Sequence, residues 1–203
     1  MKTAVIARPD TYGSLNEVEL DYAQLLEGLE EQLDGNEWTT HNKEIGHMDL
    51  RSVYAKLDGP DLEAVISHIG HVQAFVAQKS RPFPGCLVIV SVVAMKDGSF
   101  NEQYIKLLED MAQKNVKDLE SSKLVVIQNF TMDDFAGIEA DIARKTTFDI
   151  SSTQISESIP NLFVRIYREN LMIEFYISNY AMKDETIIKI TELIFSRYEQ
   201  MCK

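Results

Sequence analysis

The sequence predicts an α+β fold, a largely antiparallel sheet with helices packed on both faces, preceded by an N-terminal helical region. Three observations carry that expectation. From residue 86 onward the hydrophobic patterns run strand, helix, four successive strands, helix, and consecutive strands do not build alternating parallel units. Cys86–Met95 is apolar at both alternating sets of positions, with Leu87, Ile89 and Val93 on one and Val88, Val90 and Val92 on the other, as expected of a central strand covered on both faces. The 203 residues are 45% hydrophobic and 26% charged, with 9 Gly and 5 Pro, an ordinary globular composition able to bury a core without disulfide staples.

Residues 1–37 stand apart in charge. They hold two bases, Lys2 and Arg8, and nine acids, and so carry −7 of the chain's net −12. Ser14-Leu15-Asn16-Glu17 has the form of a capping box. Leu15, Val18, Tyr22, Leu25, Leu26, Leu29 and Leu33 then recur at three-and-four spacing up to Gly35, which predicts an amphipathic helix over 15–34. Between 38 and 57, Trp38-Thr39-Thr40 and Ser52-Val53-Tyr54-Ala55 read as short strands around a polar turn. A second helix is expected from Pro60 to about Gln78, with Leu62, Val65, Ile66, Ile69, Val72 and Val76 on its apolar face and Gly70 as a weak point. Arg81-Pro82-Phe83-Pro84-Gly85 breaks the pattern. It suggests either an acidic, mainly helical region over 1–80 followed by a sheet domain over 85–203, or one continuous domain.

Beyond the two-sided strand, Ser99-Phe100-Asn101-Glu102 is a second capping box, opening a helix to about Lys117. Strands are expected over 124–130 and 138–150, and a hairpin over 162–177 around Arg168-Glu169-Asn170. The last helix is expected over 184–200, with Ile187, Ile188, Leu193, Ile194 and Tyr198 on its core side. This strand–helix–meander–helix order over about 84–203, with Gly137-Ile138-Glu139-Ala140 opening the long strand, resembles the PsbP-like superfamily. The resemblance implies binding or assembly work rather than catalysis, and it brings no catalytic set; the first 80 residues depart from the superfamily's minimal form.

The net charge of −12 argues against any broad contact with nucleic acid or an anionic membrane. Cys86 and Cys202 do not make a disulfide framework. The apolar start is interrupted by Arg8, Pro9 and Asp10, too soon for a signal peptide, and no stretch approaches the ~18 apolar residues of a membrane span. The expected location is cytoplasmic, although a chain that had lost a leader would read the same way.

No motif for catalysis stands out. G-x-S-x-G, G-x-G-x-x-G after a strand and GxxxxGK[ST] are all missing. His68 and His71, three apart on the expected second helix, could hold a metal with Glu63 or Asp61, but no HExxH accompanies them, and no metal or cofactor is expected. Cys86 opens an apolar strand, where a thiol is structural rather than nucleophilic. Asp133 and Asp134, with Glu139 and Asp141 downstream, lack EF-hand spacing.

Two surfaces remain as candidates for a protein partner. Arg165 and Tyr167 on one hairpin strand, with Glu174 and Tyr176 on the other, share the register opposite the aliphatic positions, and Tyr and Arg favour interfaces. Glu27, Glu30 and Glu31 lie on the acidic N-terminal segment, suited to steering a basic surface. The function expected is therefore a non-enzymatic protein-binding or accessory module of open oligomeric state. The alternative is a small-molecule-binding protein or small enzyme, with a pocket between the N-terminal region and the sheet drawing on His68, His71, Asp133 and Arg165.

Overall fold

Runs rich in Val, Ile, Phe and Tyr dominate the chain after residue 68, and they pair edge to edge rather than coil. The computed structural model describes residues 5–7, 17–35, 37–46, 59–80, 85–95, 105–110, 113–114, 117, 125–152 and 155–203. Strands β1 (Val5–Ala7) and β2 (Glu17–Glu19) form a small antiparallel ribbon. The main sheet holds seven strands: β3 (Thr39–Glu44), β4 (Ile69–Lys79), β5 (Cys86–Met95), β6 (Val125–Asp134), β7 (Ile142–Ser152), β8 (Ile155–Arg168) and β9 (Leu171–Ser178). Their spatial order is β3-β4-β5-β9-β8-β7-β6, and every neighbouring pair is antiparallel. Helix α1 spans Gly59–His68 and helix α2 spans Asp184–Met201; two 3-10 turns cover Tyr22–Leu26 and Leu29–Gln32.

The expected fold class is corrected by this architecture. The body is a seven-stranded antiparallel sheet with one long helix, α2, and not a sheet between two helical layers. The reasons are local. The second expected helix stops at His68, and Ile69–Lys79 is strand β4, paired along its length with β5. Val72 and Val76 fit both a helical and a strand period, whereas the β-branched and aromatic content of 69–77 favours the strand. Gly70 sits where the register shifts between Ile69 and His71, so it marks the helix-to-strand switch. The expected helix over 15–34 is also absent from its described part: Glu17–Glu19 is β2, and two 3-10 turns follow, separated at Gly28 with φ 68°. The proposed capping residue Ser14, the expected strand over 52–55 and most of the helix over 99–117 lie outside the described residues. The sheet runs through β4 and β5 across the position where the sequence suggested a linker.

One face of the sheet carries the main core. Val88, Val90 and Val92 of β5, Ile173, Phe175 and Ile177 of β9, and Val164 and Ile166 of β8 pack beneath Ile187, Ile190 and Ile194 of α2. The leucines of the acidic segment, Leu25, Leu26, Leu29 and Leu33, are buried in the same cluster. On the other face a smaller core forms at one end, where Val65 and Ile66 of α1 and Ile105 and Leu108 meet Val93, Met172 and Tyr167.

Phe175, fully buried on the central strand β9, is the expected weak point of the main core. Phe175→Ala should cost ~3–5 kcal/mol, read by urea denaturation. Val126→Thr, on the exposed outer strand β6, should stay within about 0.5 kcal/mol.

Candidate functional site

Directly paired residues of neighbouring strands share a face, so the register turns part of the sequence into a row of charges. Asp134 of β6 pairs with Arg144 of β7, Arg144 with Arg165 of β8, and Arg165 with Glu174 of β9. Two arginines side by side repel, and the acids at both ends of the row neutralise them. Arg165 Nε donates to Glu174 Oε1 at 2.8 Å, and Arg144 pairs with Asp134 and, at 3.4 Å, with Glu109. Arg165 Nη1 also donates to the Leu108 carbonyl, and its guanidinium lies 4.4 Å from the Phe163 ring centroid.

The structure thus brings the predicted residues together, but under cover. Arg165 is 8% exposed and Tyr167 2% exposed, so the open sheet face expected for them is instead the seat of helical residues 105–110 and of α1. Burial pushes the Tyr167 phenol well up, with the Glu174 and Glu109 charges adding and those of Arg165 and Arg144 opposing. Tyr176 is half-buried and donates to Asn161 Oδ1 at 3.1 Å. The Arg165–Glu174 end of this row is an internal ion pair, while the Arg144–Asp134 end lies at the surface.

A polar cluster occupies the main-core face. The rings of His71 and Tyr22 stack at 4.5 Å and 18°. His71 Nε2 lies 3.4 Å from Gln73 Oε1, and Nδ1 lies 3.8 Å from Glu44 Oε1. Gln73 donates to Asn42 Oδ1, and Asn42 donates to the Ala23 carbonyl, tying the first 3-10 turn to β3 and β4. Burial holds the His71 pKa below its ordinary 6.5, against the opposing pull of the Gln73 hydrogen bond and the Glu44 and Asp21 charges. Burial, with smaller contributions from Tyr198 and Cys202, raises the Tyr22 phenol far above its usual range.

The acidic segment is the most accessible of the predicted surfaces. Glu27, Glu30 and Glu31 are all exposed, while the leucines between and beside them are buried. The segment is fixed at several points. Asp21 accepts from Ala23 N–H, the Asp34 N–H donates to Tyr180 Oη, and the Asp34 carbonyl accepts from Trp38 Nε1 and Lys79 Nζ. Arg197 of α2 donates through Nη1 to the carbonyls of Gln24, Leu25 and Glu27, at 3.4, 3.1 and 2.7 Å. Beside this clamp lies an open groove of about 330 Å³, lined by Gln24, Glu27, Arg197, Gln200 and Met201. Sequence reasoning found Glu27 but missed Arg197, because nothing in the pattern of α2 signals a basic residue reaching back to residues 24–27.

The residues of the alternative pocket are not gathered. His71 stacks in the main-core cluster, while Arg165 lies on the opposite face. His68 closes α1 and His71 lies on β4, so the two share no helix. Asp133 and Asp134 end the outer strand β6, and Asp141 accepts from the Glu169 N–H. Cys86 Sγ donates to the Asn179 carbonyl at 3.0 Å. Among the described residues no group of three or more His, Cys, Asp or Glu is placed to hold a metal ion, and no helix is long and apolar enough to cross a membrane.

No protein-family model and no curated protein matches the sequence. An uncharacterised protein from Mycobacterium smegmatis has a solved structure similar over 86% of this chain and 96% of its own, with TM-score 0.45 and 10% identity.

Two outcomes follow from the buried polar groups. Arg165→Ala leaves the half-buried Glu174 carboxylate without its partner and should cost ~3–5 kcal/mol, whereas the joint Arg165→Met/Glu174→Leu change should lose much less; urea denaturation of the two variants beside the unaltered chain measures both. A histidine whose folded pKa is depressed contributes stability that is present above its unfolded pKa. Stability should therefore fall as pH drops from about 6.5 through the lower folded value, and His71→Gln should flatten that slope in denaturation curves taken from pH 7.5 to 4.5.

Proposed function

We propose that this chain is a non-enzymatic protein-binding or accessory module, acting in the cytoplasm, which docks a basic partner on its acidic N-terminal segment. The observation that carries this reading is the division of labour within residues 20–37. The leucines anchor the segment to the core, and the acids between them, Glu27, Glu30 and Glu31, are all turned outward. The sequence from Asp10 to Glu37 has nine acids and no base, so the segment brings a strong excess of negative charge, which speeds encounter with a positive patch. The segment is also held rigidly by Arg197, Tyr180, Trp38 and Lys79, so its charges are presented without a large ordering cost on binding. The PsbP-like resemblance, whose members mostly serve as accessory factors, accords with the same reading.

Affinity capture of the tagged protein from its source organism, at low and high salt, tests it. A stoichiometric partner is expected at low salt, lost at high salt and lost from the Glu27→Gln/Glu30→Gln/Glu31→Gln variant. A protein that emerges alone, or a partner indifferent to the triple variant, overturns it.

A further inference from the structure

The clamp that Arg197 makes uses one end of its guanidinium. Nη1 is shared among three carbonyls of the first 3-10 turn and the residue after it, while Nε and Nη2 have no partner among the described residues. These two nitrogens form the side-on edge of the group, which matches the two oxygens of a carboxylate. An arginine already fixed at Nη1 has surrendered most of its side-chain freedom, so a ligand meeting the free edge does not have to order it again. Arg197 lines the groove of about 330 Å³ together with Glu27, Gln24, Gln200 and Met201, side chains that bring a carboxylate, two amides and an adaptable thioether to the same place.

A bare anion does not suit this place. The chain carries net −12, Glu30 and Glu31 lie close in sequence, and the C-terminal end of α2 adds the negative pole of its dipole. A residue bearing both charges does suit it, with its carboxylate on Arg197 and its cation on Glu27. We infer that the groove receives the C-terminal residue of a partner chain ending in Lys or Arg with a free carboxylate. This rests on the reading of the acidic segment as a docking surface for a basic partner, and it names the part of the partner that enters the groove: the terminal carboxylate against the Arg197 edge, the terminal cation against Glu27, and preceding basic residues along Glu30 and Glu31.

Three acetylated hexapeptides test it by isothermal titration and by NMR of the full chain: one ending Lys-Lys-Lys as the free acid, the same sequence as the C-terminal amide, and one ending Lys-Lys-Ala as the free acid. Attraction by the acidic segment alone would favour the amide, which is one charge more positive, so the comparison separates the two sources of affinity. The free acid should bind about tenfold tighter than the amide, as expected for a charge-assisted bidentate contact. It should move the Arg197 Nε–H resonance where the amide does not. Lys-Lys-Lys should outrank Lys-Lys-Ala, and that preference should vanish in Glu27→Gln. Arg197→Lys, checked for folding by its NMR spectrum, should bring the free acid down to the affinity of the amide measured on the same variant; should it not fold, the Nε–H shift on the unaltered chain decides. An amide that binds as well as the free acid overturns the inference while leaving docking on the acids intact. A free-acid advantage that survives Arg197→Lys, or the absence of binding by all three peptides, also overturns it. The broader reading is judged separately, by the capture from lysate.

Discussion

Strand β9 joins two parts of the chain that have no short connection. It pairs with β8 through a tight turn at Glu169 and Asn170, and on its other side with β5, from Leu87 opposite Ser178 to Ala94 opposite Leu171. Without the β5–β9 ladder the sheet would part into three strands and four. Both strands offer apolar side chains on the main-core face: Val88, Val90, Val92 and Ala94 against Ile177, Phe175, Ile173 and Leu171. Their burial supplies the driving force for a pairing that chain connectivity disfavours, because closing a long loop costs entropy before the contacts form. Helix α2 and the acidic segment both sit on the surface created where these halves meet.

From that junction the placement of charge follows. On the main-core face polar groups are pushed to the margins: the His71–Tyr22 stack toward the β3 edge, and Arg168, paired with Glu199 over the Phe195 ring, toward the other. On the opposite face Arg165 is tolerated in the interior because Glu174 pairs with it, while its neighbour Arg144, partly exposed, is matched by Glu109 and Asp134. The acids of residues 20–37 have no such internal role, and the surface is where they lie. Their shared backbone is held at one end by the Arg197 guanidinium, from a helix far away in sequence, and at the other by Tyr180, Trp38 and Lys79 around Asp34.

The strand region was legible because its signals were redundant. The two-sided pattern of residues 86–95, the hairpin around Arg168-Glu169-Asn170 and the closing helix each rest on several positions that agree. The errors came where one set of apolar residues satisfied two periods. Val72 and Val76 mark a helix at spacing four and a strand face at spacing two, and only the pairing partner on β5 decides between them. Leu25, Leu26, Leu29 and Leu33 satisfied a helical period, yet they are buried equally well by two 3-10 turns broken at Gly28. For the candidate site, residue type pointed to Glu27, Glu30 and Glu31, whose exposure the structure bears on directly. Exposure of Arg165 and Tyr167 could not be read, because the cover over them comes from α1 and residues 105–110, which pack there from elsewhere in the chain.

The outer strand β6 has a further consequence for the molecule in a crowded solution. It ends the sheet and holds Val126 and Phe130, 53% and 38% exposed, so it resembles a template on which foreign strands could crystallise into a growing sheet. Its ladder with β7 shifts register between Gln128 and Thr131, where Asn129 takes φ 55° and its amide is tied to Asp149. No straight strand can run alongside that kink for more than a few residues, and Asp133 and Asp134 close the run beyond it. The bulge therefore works as a terminator: it leaves two apolar side chains in water yet denies them a continuous backbone on which polymerisation could propagate.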